Sequence, residues 1–282
     1  EKRRCGILGD THHGPSIGFG QMAVDERERG LAALEEAIRQ RGGDPLAFMR
    51  RLPADLPFTR SLARHIVRGG SEWPDESLAR RIMGPNFWGR DEWAGLGITF
   101  SGRQAKTVAR FPWNEEILDS ECPWNPGQAV SQTHFGFLGV KIVSKASLTI
   151  VKWQEICPAG GQPRFYQYGA DCWYTNEEFA TTVSLDLQWY LVLKDVVPGS
   201  TSKVWETMLG MLPPEYETPT PVVEATKDIL YYKRNGVYLN PGVYAATDAL
   251  DSDGYRVVVG DFRQSGLTVY NWDGEAAGAL CF

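Results

Sequence analysis

Apolar residues recur at three- and four-residue spacing through the first part of the chain and at alternate positions through much of the second. That change of period divides the sequence. Leu31, Leu34, Ala37 and Ile38 predict a helix over 23–41, stopped by Gly42-Gly43. A second helix is predicted over 58–67, ended by Gly69-Gly70, and Pro74 opens a third that reaches Ile82. "GPNFWGRDEW", from Gly84 to Trp93, reads as an aromatic turn running into a helix that stops near Gly95. Short, glycine-terminated helices of this kind predict a small helical region to about residue 110.

From Phe111 the pattern changes. Asn114 caps a short helix whose Glu115 and Glu116 sit where the helix dipole favours negative charge. From about Thr133, "HFGFLGVKIV", "SLTIVKW" and "RFYQY" are rich in β-branched and aromatic residues and predict strands. Thr175 with Glu178 predicts a capping box, and "SLDLQWYLVLKDVV" a buried strand. Thr220-Pro221 starts a helix carrying Val222, Ala225, Thr226, Ile229 and Leu230, and Asn235-Gly236 ends it. The closing segment predicts strands joined by tight turns, with a hairpin at Asp253-Gly254. The expected fold class is α+β. Residues 1–110 form a helical, arginine-rich region, and 111–282 a mixed domain with an antiparallel-rich sheet.

Composition adds limits. The chain has 282 residues, 43% hydrophobic and 23% charged, as soluble globular proteins do. No apolar run reaches the roughly 18 residues that a membrane-spanning helix needs. Five cysteines without a C-x-x-C pair indicate neither a disulfide framework nor a thiolate zinc site. Scattered reduced thiols place the expected location in the cytoplasm. The net charge of −6 is unevenly spread, with a basic, arginine-rich front and an acidic back. Arg60, Arg64 and Arg68 fall at i, i+4 and i+8, one face of the second predicted helix, where they could meet a polyanion. The acidic whole disfavours nucleic acid as a partner.

The most conspicuous motif is "THHGPSIGFG". Gly14-Pro15-Ser16-Ile17-Gly18 matches a nucleophile elbow, but fifteen residues cannot supply the sheet that an elbow requires before its serine. Asp10 and His12 match a first metal motif and are the candidate metal ligands. A dinuclear site would need further histidines, and the chain has four in all. "DSDGYRVVVGDF" resembles a calcium loop but lacks its glycine and its closing glutamate, so it reads as a hairpin turn. Glu115 and Glu178 are the candidates for carboxylate-dependent hydrolysis, drawn from two different elements. Ten Trp, eleven Tyr and twelve Phe form the strongest chemical signal, because aromatics beside turns suit stacking on sugars or anchoring of protein partners.

The stretches "RFPWNEEILDSECPW", "THFGFLG", "GSTSKVWETMLGMLPPEYETPTPVVEATKDILYY" and "LNPGVYAATDALDSDGYRVVVGDFRQSGLTVYNWDG" resemble an uncharacterised bacterial protein family seen mainly in environmental genomes. The likeness covers most of residues 80–282 and implies no activity and no site residue. The ending is also distantly similar to C-type-lectin-like domains, whose closing strands present aromatic and Arg or Asn positions to a ligand. That likeness implies an alternative C-type-lectin-like fold for the C-terminal domain.

The expected function is a non-catalytic binding module for a protein or carbohydrate ligand, using Trp272, Tyr270 and Arg263 near the final turn; Tyr255 and Arg256, neighbours that face opposite sides of one strand, rank after them. The alternatives are a hydrolase, through the Asp10/His12 metal or the Glu115/Glu178 carboxylates, and a polyanion binder through the arginine stripe. The sequence identifies no cofactor.

Overall fold

The structure, a computed structural model, describes residues 24–40, 42–55, 59, 75–143, 145–169, 172–273 and 280–281. The chain divides into two compact units, one reaching Glu72 and the other running from Trp73. The first unit contains helices Val24–Gln40 and Pro45–Ala54. Asp44 caps the second of these by accepting from the Leu46 N–H at 2.9 Å, with Pro45 in the first turn. No described side chain of the two helices is buried. Arg60, Arg64 and Arg68 lie outside the described residues, as do Asp10 and His12.

The second unit has two sheets with a helix between them. In one sheet, β1 (Phe87–Trp88) pairs parallel with β4 (His134–Leu138), and β4 antiparallel with β7 (Trp189–Leu193) from His134↔Leu193 to Leu138↔Trp189. In the other, β8 (Tyr244–Leu250), β9 (Arg256–Arg263) and β10 (Gly266–Trp272) form an antiparallel meander, with β11 (Leu280–Cys281) parallel to β8 on its edge. Two short pairs complete the strands: β2 (Glu121–Cys122) with β3 (Asn125–Ala129), and β5 (Ile142–Val143) with β6 (Ala146–Ser147). The architecture is α+β and antiparallel-rich, without a closed barrel. Among the described residues no helix is long and apolar enough to cross a membrane.

The helix between the sheets, Pro221–Asn235, starts and stops where its sequence says. Thr220 Oγ1 accepts from the Val223 N–H at 3.3 Å, and Gly236 closes the C-terminus at φ 68°. Its surroundings are not those its sequence suggests: every residue from Pro221 to Leu230 is buried, including Glu224, Lys227 and Asp228. It packs on β8 and β9 on one side, where Tyr232 meets Phe262 at 5.6 Å, and on β4 on the other, where Tyr231 meets Phe135 at 5.5 Å.

Helix Glu76–Met83 and Phe111 cover the remaining face of β4. Gly136 is needed there, because a Cβ would come within 2.8 Å of Met83 Sδ. These early segments supply Ala79, Met83, Phe87, Trp88, Trp93, Val108 and Phe111 to the same core as the sheets.

Three local expectations fail. "SLTIVKW" is not a strand: Thr149 caps a helix over Ile150–Ile156 by accepting from Lys152 N–H at 3.2 Å, and Ile150 and Trp153 are its buried residues. "RFYQY" makes one isolated bridge, Phe165↔Leu267. Thr175 donates its hydroxyl to the Cys172 carbonyl at 2.9 Å instead of capping, so the Glu178–Thr181 helix begins from Glu177.

A candidate ligand-binding face

The final meander has two unlike faces. Val257, Val259, Phe262, Leu267 and Val269 point inward to the main core under the central helix. Ala246, Val258 and Trp272 point the other way, into a small second core with Met208 and Trp205 of helix Trp205–Leu209. Strict alternation along β9 would put Phe262 on the side of Val258, and Arg263 on the side of Val257 and Val259. It does not, because the β9–β10 register shifts between Gly266 and Thr268, and Asp261 is held at φ 41°. This bulge inserts one residue and reverses the parity. Phe262 turns into the core against Tyr232 and Tyr238, while Arg263 turns out beside Tyr244.

Helix Trp205–Leu209 covers only one end of this outer face. The other end carries a run of tyrosines. Tyr166 packs edge-on against Tyr168 with centroids 5.0 Å apart. Tyr168 stacks on Tyr270 at 6.4 Å, and Tyr270 lies 6.5 Å from Tyr244. Tyr166 and Tyr270 are the exposed members, at 40% and 50%, and Tyr168 and Tyr244 are half-buried.

Tyr168 is locked in place by donating its hydroxyl to the Val269 carbonyl at 3.0 Å. Burial first, and neighbouring tyrosines second, raise the Tyr168 phenol above its ordinary pKa. Burial also raises that of Tyr244, with Asp261 adding to the rise and Arg263 opposing it. These two rings therefore present neutral phenols throughout the physiological range.

The floor between Tyr244 and Thr268 is Gly260, the cross-strand partner of both. A Cβ at Gly260 would lie 2.5 Å from the Val243 carbonyl oxygen and 2.8 Å from Tyr244 Cα, so glycine permits the close approach of the β8 backbone. At its end Arg263 pairs with Asp261, whose Oδ1 also accepts from the Gly242 N–H at 2.7 Å.

The segment that supplies Tyr166 and Tyr168 is fastened to the meander. Leu267 N–H donates to the Arg164 carbonyl at 2.8 Å and Tyr166 N–H to the Leu267 carbonyl at 2.9 Å. Arg164 and Gln162 side chains converge on the Gln264 carbonyl, Arg164 Nη2 and Gln162 Nε2 each at 2.8 Å. A side chain at Gly266 would overlap the Tyr166 backbone, so glycine permits the join.

Of the residues singled out from sequence, Tyr270 and Arg263 lie on this face. Trp272 is on the same side of β10 but 7% exposed, in the second core beneath Trp205. Arg256 stacks over the Trp205 ring at 3.7 Å and donates to the Thr247 and Asp248 carbonyls. Tyr255 is exposed in the β8–β9 turn. That turn is fixed by Asp251, which accepts from the N–H groups of Asp253 and Tyr255.

Glu115 and Glu178 each open a short helix of their own. Among the described residues no group of three or more His, Cys, Asp or Glu is arranged to hold a metal ion. Tyr166, Tyr168, Tyr244, Gly260 and Asp261 were not among the ligand-binding residues read from the sequence. The available signals were the alternation in "FYQY" and a Gly-Asp pair inside a β-branched run.

Four indoles are used inward. Trp93 donates to the Leu138 carbonyl, Trp153 to Thr226 Oγ1, Trp189 to the Val108 carbonyl and Trp173 to the Val269 carbonyl, all within 2.7–3.1 Å. In comparisons with known families, curated proteins and solved structures, nothing matches this chain.

Proposed function

We propose that this chain is a non-catalytic binding module that holds a carbohydrate against the tyrosine face of its final meander. The observation that carries the reading is the contiguous run Tyr166–Tyr168–Tyr270–Tyr244 beside a glycine floor, closed at one end by the Asp261–Arg263 pair. Tyrosine rings stack on the apolar faces of sugar rings, and their hydroxyls, with a carboxylate and a guanidinium, match sugar hydroxyls. Tyr168 is held by its own hydrogen bond, so little side-chain freedom is lost on binding there.

A protein ligand on the same face is the second reading, favoured by two exposed tyrosines presented from a braced framework. A glycan array followed by calorimetry tests the proposal. Each stacked ring contributes about 1 kcal/mol, so Tyr270→Ala and Tyr166→Ala should each weaken binding roughly fivefold. Glycan binding unaffected by both changes would overturn it.

A further inference from the structure

The two exposed rings of the tyrosine face stand apart from each other. Half-buried Tyr168 lies between them, with its centroid 5.0 Å from that of Tyr166 and 6.4 Å from that of Tyr270. A pyranose ring and a phenol ring are both six-membered, so one stacked sugar covers one tyrosine. A single sugar on Tyr270 leaves Tyr166 uncovered. Contact with both exposed rings needs a chain of linked sugars running along the face.

Beyond Tyr244 the run ends in a polar pair without net charge. Asp261 N–H donates to the Val243 carbonyl at 2.6 Å, and Asp261 Oδ1 accepts from both the Gly242 N–H and Arg263 Nη2, so the carboxylate is held by backbone and side chain. Among the described residues, Asp261 Oδ2 is left as an acceptor and Arg263 Nε and Nη1 as donors. An acceptor and donors fixed side by side match adjacent hydroxyls of a sugar, one donating and one accepting. Asp261 and Arg263 are also the charged groups that act on the Tyr244 phenol, while Tyr168 feels only tyrosines and a cysteine. Arg164, the next cation, donates to the Ala159 and Gln264 carbonyls and lies toward Tyr238, which packs on the core residue Phe262. An anionic ligand on the face would therefore meet no cation free of a carboxylate, and would lie against Asp261.

We propose that the ligand of this face is an uncharged oligosaccharide, long enough to cover both Tyr166 and Tyr270 and to set two adjacent hydroxyls on the Asp261–Arg263 pair. The assignment rests on the carbohydrate reading of the face. Tyr166, Tyr270 and the polar pair are then separate points of contact along one chain, each engaged by a different sugar. Short chains sit at Tyr270, the exposed ring nearer the pair, and only longer ones reach Tyr166.

The test is calorimetry of the full chain at pH 7 against linear gluco-, manno-, galacto- and xylo-oligosaccharides, each from monosaccharide to hexasaccharide, with oligogalacturonides and sialylated oligosaccharides of matched length. The best neutral series should gain about fivefold in affinity once the chain is long enough to add the second ring. Tyr166→Ala should leave the shortest chains unaffected and weaken the longest roughly fivefold. Anionic chains should bind at least about tenfold more weakly than neutral ones of the same length, because like charges set against each other at a contact repel. Asp261→Asn keeps an acceptor for the Gly242 N–H and tolerates the positive φ, and should narrow that gap by removing the charge. Affinity that stops rising at the monosaccharide, a Tyr166→Ala effect equal at every length, or an anionic series that binds as tightly as the neutral one would overturn the assignment and leave the carbohydrate reading standing. Binding of no glycan at all would remove that reading, and the assignment with it. The wild-type series decides the matter alone if circular dichroism shows that an altered chain does not fold.

Discussion

Replacing Asp228 by Asn should make the protein less sensitive to alkali, and the reason lies in the middle of the central helix. Glu224, Lys227 and Asp228 are each at most 2% exposed. Lys227 bonds Glu224 and lies 3.5 Å from Asp228 Oδ1, and both Asp228 oxygens lack a hydrogen bond. Two carboxylates share one ammonium, so the fully ionised cluster carries a buried excess negative charge. A proton on Asp228 removes it.

Burial accordingly pushes the Asp228 carboxyl up to about 8 from 3.8, against the pull of Lys227. The sign follows from proton counting. Between these values the folded protein holds a proton that the unfolded chain has released, so the stabilisation is complete at low pH and is lost as pH rises toward 8. One proton gives a slope of at most ~1.4 kcal/mol per pH unit, and about 6 kcal/mol is the ceiling over the window.

An asparagine side chain is the neutral isostere of the protonated aspartic acid. Urea unfolding at pH 5 should place Asp228→Asn within about 1 kcal/mol of wild type, and at pH 8.5 the variant should be more stable by about 2 kcal/mol or more. The difference between the two proteins cancels other titrations, such as that of Asp248, which burial also raises. Stability curves that run parallel from pH 5 to 8.5 would show that Asp228 stays ionised in the folded state, and the argument would fail.

Lys227→Met removes the only cation bonded to Glu224 and Asp228 in this cluster and should cost about 3–5 kcal/mol at pH 7, read from the urea midpoint. Thr220→Ala removes the cap of the central helix, and a loss of about 1 kcal/mol in the same assay is expected. Gly260→Ala forces a side chain against Val243 and Tyr244 at a φ of 154°, which should cost upwards of about 2 kcal/mol and abolish ligand binding together with stability. Arg263→Ala alters an exposed ion pair and should leave the unfolding midpoint within about 0.5 kcal/mol of wild type while weakening glycan binding.

The sequence showed where elements begin more clearly than what they face. Thr220, Pro221 and Gly236 act locally, through caps and a fixed φ, and they bound the central helix as read. That ten consecutive residues of this helix are buried depends on a sheet arriving on each side, and no local pattern encodes it. Glu224, Lys227 and Asp228 fall at i, i+3 and i+4, the spacing of a solvated face, and pair inside the protein instead. The helix at Ile150–Ile156 was hidden by its β-branched start, although the Thr149 cap and the Ile150/Trp153 spacing were available. Tryptophans beside turns suggested ligand stacking. In the structure four indole N–H groups bind main-chain carbonyls and a core threonine, which leaves the exposed aromatic role to tyrosine.

The tyrosine face was partly legible for the same reason. Tyr270 and Arg263 were singled out from the final turn, but a straight reading of "RVVVGDFR" assigns Arg263 to the side of Val257 and Val259. A single inserted residue reverses every side chain beyond it. The bulge at Asp261 therefore does two things in one step: Phe262 completes the core beneath Tyr232 and Tyr238, and Arg263 joins the outer surface near Tyr244. Gly260 and Asp261 are thus tied to the fold and to the face at once, whereas Tyr166, Tyr270 and Arg263 touch the outer surface alone. Changes at the first pair should lower stability and binding together, and changes at the other three should lower binding with stability kept. A face that served only as a patch of exposed side chains, with no ligand, would show neither loss of binding.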